Sequence, residues 1–138
     1  MAGTLTLRVI TPERIALDMQ VQSVRVPAVD GQLGILPRHA PMVAALATGI
    51  VRFREEGREA RLFVSGGFAE VRDNTVRIVT EAGEKPEEID EARAREAEKR
   101  ARERLASEAG GEAVDLARAE AALQRAIWRL RAREHSET

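Results

Sequence analysis

The period of the sequence changes at Gly83, and that change limits what the chain can fold into. Before it, short runs rich in Val, Ile and Leu are separated by Gly, Pro and Asp-Asn clusters. Apolar and charged residues alternate in Val24-Arg25-Val26, in Val51-Arg52-Phe53-Arg54 and in Val76-Arg77-Ile78. A period of two with one polar face marks half-buried antiparallel strands. The pattern predicts strands over Leu5–Ile10, Gln20–Pro27, Met42–Leu46, Gly49–Arg54, Ala60–Val64, Ala69–Val71 and Thr75–Thr80. Turn chemistry at Glu55-Glu56-Gly57, Ser65-Gly66-Gly67 and Arg72-Asp73-Asn74 separates them. The glycines of the second turn are expected at positive φ, in a hairpin or a bulge. Short strands at this spacing argue for a sandwich or barrel.

After Gly83 the glycines stop until Gly110-Gly111, and two helices are expected. Asp90 can cap the first, with Pro86 just upstream where proline is tolerated. Ala94, Ala97, Ala101 and Leu105 fall on one face of it. Gly110-Gly111 breaks the run, and Asp115 can cap the second helix. Leu116, Ala119, Leu123, Ala126, Ile127 and Leu130 then follow helical spacing, so the pair reads as an antiparallel hairpin. Its facing stripes are mainly alanine. Alanine permits close approach but removes little apolar area, at ~0.8 kcal/mol per buried methylene. Such a seam opens more easily than one of leucines, which a switch requires.

Composition narrows the chemistry. Acids and bases nearly cancel at net −1, which argues against a nucleic-acid binder, as does the lack of an aromatic stacking platform. There is no cysteine, so no disulfide framework and no thiolate metal site. No apolar run approaches the ~20 residues of a membrane span, so direct membrane insertion is not expected. The N-terminal residues carry no charged lead and no apolar run, so no signal peptide is expected and a bacterial cytoplasmic setting is favoured. Of the two histidines, His39 has no near partner for a metal and His135 falls in an expected frayed tail, and no serine is obviously poised beside a histidine and a carboxylate. No catalytic residue, metal site or required cofactor is assigned.

The arginines of the helical half carry more information. Arg93 and Arg100 are seven apart and share a face of the first helix, and Arg125 and Arg129 are four apart on the second. In a closed hairpin the two pairs can face one rim. Guanidinium groups donate in a fixed fork that suits phosphate. The alternative is a solvated, salt-bridged face with Glu96–Arg100 as an i,i+4 pair, and charge pattern alone favours it.

Two segments, Asp30–Pro41 (DGQLGILPRHAP) and Val64–Val71 (VSGGFAEV), resemble the signature segments of the epsilon subunit of bacterial F-type ATP synthases. The TPE segment at Thr11–Glu13, the β-rich first half and the Ala/Arg hairpin follow the family order along the whole chain. The resemblance implies a β + α fold: an N-terminal antiparallel β-sandwich of about ten strands over residues 1–84, then an antiparallel two-helix hairpin over residues 85–138. It implies a non-catalytic central-stalk subunit, peripheral on the cytoplasmic face of the bacterial plasma membrane. Its partners would be the gamma subunit, the c-ring and, when the hairpin extends, the alpha and beta subunits, where it inhibits ATP hydrolysis. In DGQLGILPRHAP, Gly31 and Gly34 are read as a tight loop that Pro37 and Pro41 stiffen, presenting His39 to the rotor or letting it pin its own loop. Gln32 stands where the family often has a glutamate implicated in the c-ring contact, so the charge is lost there. Some family members bind ATP in the folded hairpin through Ile or Leu, Asp, two variable residues, Arg and Ala. Here these are Ile89, Asp90, Arg93 and Ala94, with Glu84, Arg100, Arg125 and Arg129 as supporting positions. ATP would be a regulatory ligand. The alternative is a purely structural rotor adaptor without nucleotide binding.

Overall fold

β-structure fills the chain as far as Glu84 in a computed structural model that describes residues 3–107 and 113–134. Eight strands form one sheet: β1 (Leu5–Ile10), β2 (Ile15–Val21), β3 (Ser23–Ala28), β4 (Gly31–Ile35), β5 (Met42–Glu55), β6 (Arg58–Arg72), β7 (Thr75–Val79) and β8 (Gly83–Glu84). The order is β2-β1-β7-β6-β5-β3-β4, with β8 added on β6. All neighbours are antiparallel except β1 and β7, which run parallel. One buried cluster draws side chains from all seven strands of that path, Leu7, Val21, Val24, Ile35, Val51, Leu62 and Val76 among them. The sheet therefore closes over its own inner face, which is how a continuous sheet makes a sandwich.

The two long strands solve a phase problem. In β6, Leu62 and Val64 enter the core, and so do Ala69 and Val71. The first pair has even numbers and the second odd, so strict alternation cannot bury both. Gly66 and Gly67 lie between them with φ of 85° and 98°. Left-handed backbone at these two residues resets the alternation. β5 makes the same switch between Leu46 and Val51 while its pairing with β6 keeps one register throughout. Each long strand thus works as two segments of opposite phase, and on that count the sandwich has ten.

Ser65-Gly66-Gly67 is therefore no hairpin turn, although the positive φ expected there is present. Met42–Leu46 and Gly49–Arg54 are likewise one strand. The true turns are short: Glu56 and Gly57 (φ 50° and 80°) between β5 and β6, and Asp73 and Asn74 (49° and 57°) between β6 and β7. Two successive positive φ values define the turn whose twist matches antiparallel strands. Three strands went unread in the sequence, β2, β4 and β8. The run Gln20–Pro27 straddles the end of β2 and most of β3. Gly31 and Gly34 do not form a loop: Gly31 (φ 132°) follows the β3–β4 turn, and Gly34 is an ordinary strand residue paired with Arg25.

Polar groups close the ends of the strands. Thr11 Oγ1 donates to the Arg14 carbonyl at 3.0 Å and accepts from the Arg14 amide, fixing the β1–β2 connection at the TPE segment. Buried Thr80 accepts from the Ser65 amide at 3.1 Å and donates to the Ala82 carbonyl at 3.2 Å. Ser65 Oγ in turn accepts from the Ala82 amide at 2.9 Å, so the chain after β7 is held against β6.

The chain divides into two compact units, Met1–Lys85 and Pro86–Thr138. The second opens with a 3-10 turn at Pro86–Glu88 and holds α1 (Glu91–Ser107) and α2 (Ala113–Glu134), which pack on one another. Gly110-Gly111 and His135 lie outside the described residues. Asp115 does not cap α2: the helix begins two residues earlier, which puts this carboxylate within the first turn, where it still favours the positive end of the helix dipole.

A Cβ at Gly67 would lie 1.9 Å from the Val79 carbonyl oxygen, on backbone that L-residues rarely adopt. Gly67→Ala is expected to destabilise the protein by roughly 3 kcal/mol or more in urea unfolding. Gly34→Ala, with nothing within 4 Å of the new carbon and ordinary φ, is expected to change stability by no more than about 0.5 kcal/mol.

Candidate functional site

In the helical unit, local chemistry builds the start of α1. Asp90 Oδ1 accepts from the Arg93 amide at 3.1 Å, and the Asp90 carbonyl accepts from the Ala94 amide at 3.0 Å. This is an N-cap: the aspartate satisfies an amide that has no partner within the helix. Ile89, just before it, is buried, and so is Ala94, one turn in. The four residues of the short motif thus form one capped corner, with Ile89 and Ala94 inward and Asp90 and Arg93 exposed.

The sequence reading missed a further residue of that corner. Arg133, near the end of α2, donates through Nη1 to the carbonyls of Ile89 (3.0 Å) and Pro86 (3.2 Å). One guanidinium thus fastens the last turn of α2 to the segment that leads into α1, satisfying carbonyls ahead of the cap. A lone arginine in a row of arginines at the end of a helix carries no sequence mark of this task.

The supporting arginines divide by helix. Arg93 and Arg100 are exposed on α1, while Arg125 and Arg129 are half-buried on α2. The expected Glu96–Arg100 pair does not form. The acids of α1 choose other partners: Glu91 holds Arg95 at 3.1 Å and Glu98 holds Arg102 at 2.9 Å, both at i,i+4. Among the described residues, the guanidiniums of Arg93, Arg100 and Arg125 make no hydrogen bond or ion pair. Glu84 is on β8 and belongs to the first unit, whereas the other seven residues of the expected nucleotide set are in the second.

The sandwich has a second candidate surface. Gln32 is exposed on β4 and lines a groove of about 490 Å3 with Val29, Met42, Val43 and Ala45. Val29 is 65% exposed and Val43 68%, large apolar groups left in water beside one another's strands. Isolated exposed residues need no explanation, but two exposed valines lining one groove make it a candidate contact surface. His39 is half-buried, its amide donating to the Leu36 carbonyl at 3.2 Å. Its Nδ1 lies 2.7 Å from the Ala40 carbonyl and, carrying the proton, donates to it. The Arg38 amide, at φ 64°, donates to Asn74 Oδ1 at 2.9 Å. The His39 side chain thus makes a contact within its own loop.

The chain thus joins a β-sandwich, bearing a groove lined by Val29, Gln32, Met42 and Val43, to a capped two-helix hairpin. Among the described residues no His, Asp or Glu cluster could hold a metal ion, and no helix is long and apolar enough to cross a membrane. The family models resolve the class. Residues 4–86 match the ATP synthase delta/epsilon chain beta-sandwich domain, and residues 87–134 match the long alpha-helix domain of the same family. The ATP synthase epsilon chain of Nitratidesulfovibrio vulgaris is 47% identical over 133 residues, covering 96% of this chain and 98% of that one. That of Shouchella clausii is 48% identical over 133 residues, covering 96% and 97%. A chain in the cryo-EM structure of the Euglena gracilis mitochondrial ATP synthase, comprising OSCP, F1 and c-ring, superposes with a TM-score of 0.80 at 28% identity, over 96% of this chain and 82% of that one. The chain belongs to the ATP synthase epsilon chain family. It is a subunit of a rotary complex, of the kind found in the central stalk.

Removing the cap and removing the clamp should both loosen the hairpin. Asp90→Ala is expected to cost about 1 kcal/mol, and Arg133→Ala about 1–3 kcal/mol, because it strips a charged donor from two carbonyls. Amide hydrogen exchange checks this: protection of Ala94 and its neighbours should fall in both variants, while protection of Leu62 and Val76 in the sandwich should not change.

Proposed function

We propose that this chain couples the rotor to the catalytic head without catalysing a reaction itself, and that its hairpin is a regulatory arm that takes ATP when folded. The coupling reading rests on the family and on the apolar groove at Val29 and Val43. In this reading that end of the sandwich meets the c-ring and the gamma subunit, peripheral at the cytoplasmic membrane face. Gln32 contributes hydrogen bonds there but no ion pair.

The nucleotide reading rests on one observation above the others. In a helix where acids and arginines pair at i,i+4, Arg93 and Arg100, like Arg104, are passed over, and among the described residues Arg125 on the partner helix also has no partner. Guanidinium forks suit phosphate oxygens. The Ile89–Asp90 corner is held rigid by the cap and by Arg133, which lowers the entropy lost on binding. Ligand that binds only the folded hairpin favours that state, by ~1.4 kcal/mol for each tenfold rise above its dissociation constant. The seam it must steady is thin, since the fully buried α1 residues in it are Ala94 and Ala101. On falling ATP the arm would open and reach the alpha and beta subunits, inhibiting hydrolysis. A constitutive adaptor is the competing reading, in which these arginines are simply solvated.

Calorimetric titration of the full chain with ATP, with and without magnesium, separates the two. Heat is expected with the natural chain and is expected to fall at least about tenfold in affinity for Arg93→Ala combined with Arg129→Ala. No heat at millimolar ATP removes the ligand. Inhibition is tested separately: an assembled complex whose epsilon chain ends at Lys85 should hydrolyse ATP faster, and an unchanged rate rules out an inhibitory arm. Val43→Asp, placing a charge in the apolar groove, should weaken association of the chain with the rest of the complex by about 1–3 kcal/mol, read by co-purification at graded concentration.

A further inference from the structure

The connection between β4 and β5 is held in shape from outside itself. Leu36, Pro37, Arg38 and His39 form a turn, with the His39 amide donating to the Leu36 carbonyl at 3.2 Å. Proline at the second position and a positive φ at the third, 64° at Arg38, are the marks of a type II turn. That third position suits glycine, and a residue with a Cβ is unfavourable there. An asparagine can steady itself in such backbone with its own short side chain, but an arginine has no such means.

The hold comes from Asn74, in the turn between β6 and β7 and itself left-handed at φ 57°. Its Oδ1 accepts from the Arg38 amide at 2.9 Å, 36 residues away in sequence. Its Nδ2 donates to the Thr4 carbonyl at 2.8 Å, 70 residues away. Its backbone carbonyl accepts from the Thr6 amide at 3.0 Å. One exposed side chain thus commits both ends of its amide to the backbone of two other segments. Only one orientation of the amide satisfies an N–H on one side and a carbonyl on the other. The bond to Thr4 therefore moors the group to the start of β1 and aims Oδ1 at the loop. The β6–β7 turn does not need these side-chain bonds, since two positive φ values close it and glycine would supply them.

The tie governs the approach to the groove. His39 follows Arg38 directly, with Nδ1 on the Ala40 carbonyl at 2.7 Å and, among the described residues, no partner for Nε2. Ala40 and Pro41 then lead into Met42 and Val43, which line the groove. We propose that Asn74 is a positioning residue for docking of the sandwich on the rotor, acting through residues 36–41 by keeping them in the turn that carries His39 into the groove strand. This rests on the reading that the groove end of the sandwich meets the c-ring and the gamma subunit. Without the tie, the left-handed state of Arg38 loses population on the order of tenfold. A partner that needs the held turn then binds more weakly by the same factor.

Asn74→Gly isolates the two side-chain bonds, because glycine keeps the left-handed backbone and the carbonyl bond to Thr6. In the full chain, exchange of the Arg38 amide should speed up at least about tenfold, with Leu62 and Val76 unchanged. Association with the rest of the complex, read by co-purification at graded concentration, should weaken about tenfold. Arg38→Gly supplies the rescue, since glycine adopts positive φ untied. In the Arg38→Gly background, Asn74→Gly should weaken association by no more than about twofold. A role in stability alone predicts no such rescue and equal association by folded chains. Should Asn74→Gly fail to fold, Asn74→Asp, which loses the donor to Thr4 and so unmoors Oδ1, carries the same expectations. The role is overturned by an Arg38 amide whose exchange does not change, or by a loss in the Arg38→Gly background as large as in the natural one. Association of Asn74→Gly equal to that of the natural chain, while Val43→Asp weakens it, overturns the role and leaves the rotor reading standing. Association unchanged by Val43→Asp as well removes the rotor reading, and the positioning role with it.

Discussion

A sheet that must bury both halves of its two longest strands in one core depends on a break in alternation, and Gly66-Gly67 supplies it. Without left-handed backbone at that point, Leu62 and Val64 or Ala69 and Val71 would face water. The close approach of Gly67 to the Val79 carbonyl shows why the residue must lack a side chain as well as tolerate the φ. The position of β7 follows from this, and with it the parallel pairing of β1 to β7 that joins the first strand to the rest of the sheet. The signature run VSGGFAEV is thus a structural device before it is a family mark.

The helical unit is organised by a different balance. Its seam offers little apolar area, so polar fastenings at its ends matter more than they would in a leucine bundle. Asp90 caps α1, and Arg133 ties the end of α2 to the carbonyls just ahead of that cap. Both fastenings converge on the Ile89–Ala94 corner. A thin seam with one firmly tied corner permits opening elsewhere while that corner keeps its geometry.

The sequence was most legible where a single period ran uninterrupted. β1 was read with its true ends and β7 to within one residue, because alternation there meets clear turn chemistry. β2 escaped because Ile15, its first residue, is exposed and its polar face carries Asp18 and Gln20, so its alternation looks like loop composition. β4 escaped because an edge strand with two glycines buries only Ile35. The merging of segments in β5 and β6 could not be seen, since a phase reset inside a strand and a turn between two strands leave the same glycine signature. In the hairpin, the Asp90 cap was readable from spacing. The choice of Glu91–Arg95 and Glu98–Arg102 over Glu96–Arg100 was not, because every i,i+4 pairing on such a helix is chemically allowed. The tie from Arg133 to Pro86 and Ile89 was invisible because it ends on carbonyls, which every residue possesses.

Charge shows the limit of reading composition without register. A net of −1 argued against a nucleic-acid binder, and averaged over the whole sequence the charges do nearly cancel. Register adds to that, because it decides which charges are neighbours. On α1 it pairs opposite charges and leaves three arginines over, Arg93, Arg100 and Arg104. On the sandwich it lines up Arg25, Arg52 and Arg61, the first brought in from a strand 27 residues before Arg52. Alternation alone says only that these residues face outward, and an outward arginine is ordinarily a solvated one. Three in register differ from three dispersed, because a fixed ladder cannot splay to relieve like charges set directly opposite.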